Sequence, residues 1–247
     1  MDSAARLYEK VSRDLALRIA QGEFKLGSRL PAERQLAQTY EVSRPTVREA
    51  IIALELDGLI EVRKGSGVYV KALQPTTGGA TSADVGPFEL LEARRLIEGE
   101  VCALAAVRAT GELIAELDQL VDQMEGLQND PMRAEEVDRR FHMRIAEASL
   151  NSAMTPVVEM LWDARSRSAQ YRLLSDKARG AGVVPREDEH RAIVRALESR
   201  DPDRARAAMR AHLARVLDAL LEATEVHELE LARQRVASQR GRFTLKV

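Results

Sequence analysis

The sequence predicts a mainly α-helical protein with a small N-terminal domain of three helices and a β-hairpin, followed by an all-helical bundle of six or seven helices. Three observations predict this fold class. The chain has 247 residues, enough for two domains. Aromatic residues make up only 4% of it, and Ala, Leu, Arg and Glu are abundant, which favours helices over sheets. Apolar residues recur at helical spacing along most of the chain.

The N-terminal elements are predicted in the order helix, helix, helix, hairpin. Apolar spacing indicates a first helix over residues 7–21, and Pro31 suits the first turn of a short second helix. Ser43 is a good N-cap for a third helix that runs over residues 43–57. Two β-rich runs around a Lys-Gly-Ser-Gly tip, within residues 59–70, indicate the hairpin. This order is typical of a winged helix-turn-helix.

A stretch rich in Pro, Gly, Thr and Ser separates the two halves of the chain. We therefore expect a winged domain at 1–73, a linker at 74–86 and a helical bundle at 87–232. Residues 233–247 form a basic tail, either a solvated end or an additional arm on nucleic acid. The bundle helices are predicted over residues 87–109, 111–127, 134–150, 151–175 (broken), 185–199 and 203–232.

Cysteine usage and hydropathy exclude several classes of protein. A single cysteine, Cys102, rules out an intrachain disulfide and any cysteine-based zinc finger. The N-terminus does not read as a signal peptide, and no apolar run is long enough to span a membrane. We therefore expect a cytoplasmic protein with no membrane partner.

The predicted third helix carries side chains suited to DNA. Arg44 and Arg48, spaced i and i+4, lie together at the margin of its apolar stripe, where either can bind guanine through two hydrogen bonds. Ser43 and Thr46 place hydroxyls near the helix N-terminus, which favours phosphate. The alternative is that this basic surface is only solvated.

Two further segments extend the predicted DNA surface. Arg34, on the preceding helix, is placed to contact phosphate. Lys64 and Gly65 belong to the hairpin tip, which lacks bulk and can approach the DNA backbone or minor groove. One such domain buries too little surface for specific affinity, so we expect a homodimer on a double-stranded, pseudo-palindromic operator.

Four polar residues of the bundle lie where the helical period demands apolar ones. His190 and His212 fall on apolar stripes, and Asp138 and His142 share one face at i and i+4. A shared divalent metal would satisfy all four, with zinc as the default and nickel or manganese also suitable. The alternative is that each is hydrogen-bonded without metal. His227 lies about 22 Å further along the last helix and is expected at the surface.

Arginines provide candidate contacts for a carboxylate ligand in the same core. Arg94 falls on the inward stripe of the first bundle helix and needs a carboxylate partner, either Glu98 or a ligand. Arg165, close to Trp162 in sequence, is a further candidate because sugar hydroxyls accept from guanidinium groups. Its alternative is an ordinary surface arginine.

Three motifs of the N-terminal half, GxxxxGSRLPAERQLA (22–37), VSRPTVREAIIALELDGLI (42–60) and RKGSGVYV (63–70), resemble the DNA-binding domain of GntR-family transcription regulators. The resemblance implies that the following residues contact DNA: Arg34, Arg44, Thr46, Arg48 and Gly65.

The bundle resembles the effector domain of the FadR subfamily through FELLEARRLIEGE (88–100), DRRFH (138–142), DEH (188–190) and the final-helix histidine. The spacing matches the metal-binding members of that subfamily, which implies the ligands Asp138, His142, His190 and His212. In general sequence the chain is most similar to hexuronate-utilisation regulators.

These inferences predict a repressor of sugar-acid catabolism genes that is released by a small carboxylate effector, a hexuronate or a related sugar acid. One alternative is the same architecture with a non-sugar effector such as lactate or glycolate. Two others are a DNA-targeted metal-dependent hydrolase and a structural DNA-binding protein with no effector. The sequence contains neither the H-E-x-x-H nor the G-x-S-x-G motif, so we expect no enzyme activity.

Overall fold

The computed structural model describes residues 6–63, 66–75, 85–127, 129–180 and 187–224. The described residues fall into two compact units, which divide between residues 75 and 85. In chain order the elements are α1 (Leu7–Ala20), α2 (Glu33–Tyr40), α3 (Arg44–Leu56), β1 (Ile60–Arg63), β2 (Gly67–Val70), α4 (Pro87–Ala106), α5 (Gly111–Glu125), α6 (Pro131–Ala148), α7 (Met154–Arg167), α8 (Ala169–Gly180), α9 (Glu187–Glu198) and α10 (Pro202–Thr224). The predicted mainly α architecture is confirmed.

The N-terminal unit packs α1 and α2 against α3 and closes with the hairpin. Strands β1 and β2 are antiparallel, with Ile60 opposite Val70 and Arg63 opposite Gly67. The helices bury one continuous apolar cluster. Such a cluster is the main stabilising contribution in a small domain, because burial of apolar area favours folding. Its fully buried members include Leu15, Ile19, Val47, Leu54 and Ile60.

The start of α2 differs from the prediction. Pro31 does not lie in the first turn of the helix, because the Leu30 N–H donates to the carbonyl of Val68 at 2.9 Å and keeps the chain extended. The residue before a proline also disfavours helical backbone. The helix therefore begins two residues later, at Glu33.

A glycine determines how closely the hairpin approaches the preceding loop. Gly67 has a φ of +130°, and a Cβ at this position would lie 2.4 Å from Nε of Arg29. The backbone of Arg29 in turn forms an isolated antiparallel β-bridge with Tyr69 on β2. The positive φ favours glycine here, and a larger residue would also require the Arg29 side chain to move.

The second unit contains seven helices in the described residues, in agreement with the predicted six or seven. Helix α6 begins three residues before the predicted Ala134, because the Asp130 side chain accepts from the Arg133 N–H and Pro131 suits the first turn. The predicted break in the fourth segment falls at Ser168, whose extended backbone ends α7 and whose hydroxyl accepts from the Tyr171 N–H.

Packing in the bundle centres on α4 and α6. Helix α4 contacts α6, α7 and α9, while α6 also contacts α5 and α7. Phe141 and Trp162 are fully buried between these helices. Among the described residues, no helix combines the length and the apolar character needed to cross a bilayer. The linker region 76–84, the whole of the predicted tail and His227 lie outside the described residues.

Candidate functional site

The predicted DNA-contacting helix begins as the sequence indicates. The Ser43 hydroxyl accepts from the Thr46 N–H at 3.2 Å and lies 2.8 Å from the Thr46 hydroxyl, so it caps α3. Arg44, in the first turn, is 53% exposed, and Arg34 on α2 is also exposed. These side chains are accessible to a partner. Lys64 and Gly65 lie outside the described residues.

Arg48 has a different environment from Arg44. Its guanidinium is only 5% exposed and donates from Nε to Oε2 of Glu33 at 2.9 Å. The same carboxylate oxygen lies 3.7 Å from Arg44. Glu33 therefore links the two arginines of α3 to the start of α2. The burial of Arg48 was not predicted, since i and i+4 spacing indicates only that two residues share a helix face.

The structure brings the four predicted metal ligands together in the bundle core. One ligand atom from each of Asp138, His142, His190 and His212 lies within 4.8 Å of all the others. Oδ1 of Asp138 is 3.0 Å from Nε2 of His190 and 3.4 Å from Nε2 of His142. The three imidazoles are buried, and the carboxylate is partly so. Three imidazole nitrogens and one carboxylate oxygen are a ligand set that suits a divalent transition metal.

Two buried glutamates hold the outer nitrogens of two of these imidazoles. Nδ1 of His142 is 2.5 Å from Oε2 of Glu98, and Nδ1 of His212 is 3.0 Å from Oε2 of Glu189. Because an ionised carboxylate only accepts, both Nδ1 atoms donate, and in the neutral form of each imidazole Nε2 is then the atom with a free lone pair that faces the cluster. This is the arrangement expected of imidazoles that bind a metal. Nε2 of His142 is buried and has no hydrogen-bond partner in the described part of the chain.

Charge and burial set the protonation of the cluster. Burial opposes ionisation of Glu98, but Arg94 and His142 outweigh it and lower the pKa of Glu98 to about 2. Burial likewise opposes ionisation of Asp138, yet the neighbouring imidazoles of His142 and His190 hold its pKa well below the usual range. Burial lowers the pKa of His212 to about 4, which keeps that imidazole neutral.

Arg94 is buried beside the cluster, as its place on the inward stripe predicts. Its Nε donates to Oε1 of Glu98 at 2.6 Å, so the intramolecular partner considered from the sequence is present. Its guanidinium also lies 4.0 Å from the centre of the Trp162 ring. Arg94 therefore contacts both Glu98, which holds an imidazole of the cluster, and the ring of Trp162.

Arg165 is not an ordinary surface residue, because only 11% of its side chain is exposed. Its guanidinium lies 4.8 Å from the ring centres of both Trp162 and Tyr171. One of its nitrogens donates to Glu135 at 2.8 Å, while Nε is buried with no partner among the residues described. Trp162 thus lies between two guanidinium groups, next to the imidazole of His142 at 5.2 Å between ring centres.

A winged helix-turn-helix unit, joined in one chain to a helical bundle with a buried set of ligand-binding side chains, defines a ligand-responsive transcription regulator. Comparison with known proteins agrees with this class. Residues 7–70 match the family described as bacterial regulatory proteins, gntR family, and residues 89–215 match the FCD domain. The chain belongs to the gntR family of regulators with an FCD effector-binding domain, and it is a transcription regulator rather than an enzyme.

Several characterised proteins are similar over most of the chain. The Exu regulon transcriptional regulator of Escherichia coli K12 is 41% identical over 84% of this chain and 82% of its own length. The Uxu operon regulator of Haemophilus influenzae is 34% identical, over 90% and 85% respectively. A putative L-lactate dehydrogenase operon regulatory protein of Escherichia coli K12 is 33% identical, over 84% of each chain.

Proposed function

We propose that this protein regulates hexuronate catabolism as a repressor that a sugar-acid effector releases from its operator. The observation that carries the proposal is the buried group of three imidazoles and one carboxylate next to Arg94. The similarity to the Exu and Uxu regulators supports a hexuronate, either an aldohexuronate or a keto acid such as fructuronate or tagaturonate.

The cluster is proposed to hold a divalent metal, most simply zinc, with nickel or manganese as alternatives. Four ligand atoms already converge within 4.8 Å, and the unpartnered Nε2 of His142 fits a coordinating atom. When bound, the metal supplies a Lewis acid that attracts carboxylate and adjacent hydroxyl oxygens of the effector.

Two arginines are proposed to orient the effector. Arg94 can share its guanidinium between Glu98 and a ligand carboxylate, since only two of its nitrogens are engaged by Glu98. Arg165 retains a buried, unpartnered Nε that suits a sugar hydroxyl. Trp162 contacts both guanidinium groups through its ring and helps to hold them in place.

The proposed DNA-binding surface comprises residues of helix α2, of the start of helix α3 and of the predicted hairpin tip. Arg44 and Arg48 read bases, and Arg48 must leave or share Glu33 to do so, because it is buried in the unbound protein. A homodimer places two such surfaces on the half-sites of a pseudo-palindrome. The surface consists of Arg34, Ser43, Arg44, Thr46, Arg48, Lys64 and Gly65.

The proposed division of the chain assigns the winged domain to residues 1–73 and the effector domain to residues 87–232, with the linker at 74–86 transmitting the change. An effector releases DNA only if it prefers the arrangement that does not bind DNA. A hundredfold preference contributes about 2.7 kcal/mol of coupling.

Titration of candidate acids against the operator complex tests the proposal. The operator is obtained by selection from random duplexes, and glucuronate, galacturonate, fructuronate and tagaturonate are compared with lactate and glycolate. We expect a hexuronate or keto sugar acid to weaken operator binding. If only lactate or glycolate does so, the non-sugar alternative replaces the hexuronate assignment. The similarity to the putative L-lactate dehydrogenase operon regulatory protein is the reason that lactate is included in the panel.

A further inference from the structure

We infer that Glu98 is a positioning residue of the metal cluster and the link through which Arg94 changes the metal affinity. The inference rests on the proposed metal site but not on the identity of the effector. Glu98 is 2% exposed and uses both oxygens, with Oε1 accepting from Arg94 and Oε2 accepting from His142. One carboxylate therefore joins a proposed effector contact to a proposed metal ligand.

The contact to His142 fixes how that imidazole faces the cluster. Nδ1 of His142 donates to Glu98, so the lone pair on Nε2 is directed at the other ligand atoms. Removing the carboxylate would free the ring to rotate and to change tautomer. Carboxylates in this position also raise the basicity of the ligating nitrogen.

Glu189 gives an internal comparison at a second imidazole of the cluster. It accepts from Nδ1 of His212 at 3.0 Å and from Arg215 at 2.5 Å, so it also joins an imidazole to a guanidinium. Arg215, however, is 46% exposed, whereas only 3% of the Arg94 side chain is exposed. Solvent screens Arg215, while a ligand in the core would engage Arg94 directly.

The difference gives Glu98 a role that Glu189 lacks. When an anion forms hydrogen bonds with the Arg94 guanidinium, the contact between Arg94 and Glu98 weakens. Glu98 then accepts a stronger hydrogen bond from His142, and this imidazole binds the metal more tightly. By reciprocity, bound metal then increases affinity for the anion by the same factor. Metal and effector carboxylate are therefore positively coupled through Glu98.

Zinc affinity of the chelator-treated full-length protein, measured by competition with a chromogenic chelator, tests the positioning role. We expect Glu98→Gln to weaken zinc binding by about 10- to 100-fold, and Glu189→Gln to do so comparably. The visible spectrum of the cobalt-substituted protein should change in both variants. Glu116→Gln is the matched control, since that carboxylate pairs with Arg144 and should leave zinc affinity unchanged.

A double-mutant cycle tests the link. Arg94→Gln should tighten zinc binding by about threefold or more in the wild-type background and leave it unchanged in Glu98→Gln. The double variant also removes the unpaired buried arginine that could unfold Glu98→Gln alone, and Glu98→Asp, which keeps the charge, should recover part of the affinity. Equal effects of Arg94→Gln in both backgrounds, or wild-type affinity in Glu98→Gln, overturn the inference. A wild-type protein that binds no zinc overturns the metal site itself.

Discussion

The two units place their functional side chains in opposite ways. The N-terminal unit has a continuous apolar core and carries Arg34 and Arg44 on its surface. The bundle instead buries three histidines, Arg94 and two glutamates among its helices. A surface site can lose a charge with little effect on folding. A site in the core cannot, because buried polar groups cost free energy unless their partners are present.

Each unit also has one side chain that departs from this pattern, and both departures can be tested. In the N-terminal unit, Arg48 is buried against Glu33. In the bundle, Asp138 is the most exposed member of the ligand cluster, at 25%. The substitutions below therefore distinguish effects on folding from effects on binding in each unit.

Loss of the metal should be the largest effect. With metal at a thousand times its Kd, binding stabilises the folded state by about 4 kcal/mol, and His190→Ala or chelation should remove most of this. Urea unfolding with and without added zinc measures it. Arg191→Ala is the control on the same helix, since its partners Asp122 and Glu125 lie at the surface. Full retention of stability and zinc in His190→Ala would exclude His190 as a ligand of a stabilising metal.

Arg48→Ala should destabilise the N-terminal unit, unlike Arg44→Ala. It breaks a largely buried ion pair with Glu33, at a cost of about 3 kcal/mol. Unfolding followed by circular dichroism measures the loss. The double variant Glu33→Gln with Arg48→Met should recover part of it. An unchanged unfolding midpoint in Arg48→Ala would show that this contact does not support the fold.

Arg44→Ala should affect binding and leave folding intact. Its side chain is half exposed, and loss of a base contact should weaken operator binding by about 1–3 kcal/mol. Fluorescence anisotropy with the selected operator measures the affinity. Arg63→Ala, an exposed arginine stacked on Tyr69 in the wing, compares a second basic side chain of the same unit. Wild-type operator affinity in Arg44→Ala would remove this residue from the binding surface.

Loss of a helix cap should have the smallest effect, and each unit contains such a cap, so the two can be compared directly. The Ser43 and Thr110 hydroxyls each accept from a backbone N–H three residues later at 3.2 Å. Replacement of either by Ala should cost about 1 kcal/mol of stability. Only Ser43→Ala should also weaken operator binding, because it caps the DNA-facing helix. Equal operator affinity in the two variants would mean that the start of α3 does not contact phosphate.

Sequence periodicity predicted most of the fold because apolar spacing and caps are local signals. It also indicated that His190 and His212 face the core, while the resemblance to metal-binding members of the FadR subfamily implied that they meet Asp138 and His142. The partners of these imidazoles were not predicted. Glu98 was considered only as the partner of Arg94, four residues away, and its contact with His142 depends on how α4 packs against α6.

Two other features also depended on packing between segments. The burial of Arg48 arises where α2 meets α3 and brings Glu33 alongside, fifteen positions earlier in the chain. The late start of α2 follows from a hydrogen bond between Leu30 and the wing. Helix periodicity carries no information about either contact, because both join elements that are separate in sequence.

We propose that the effector controls operator binding by acting at the metal cluster in the bundle core. The most direct test is a titration of the zinc-loaded protein–operator complex with the active sugar acid from the panel, repeated after chelation and with His190→Ala. We expect the acid to weaken operator binding by about a hundredfold in the zinc-loaded wild type. We expect no response in the chelated protein until zinc is restored, and none in His190→Ala. An undiminished response in the folded His190→Ala variant would contradict the claim.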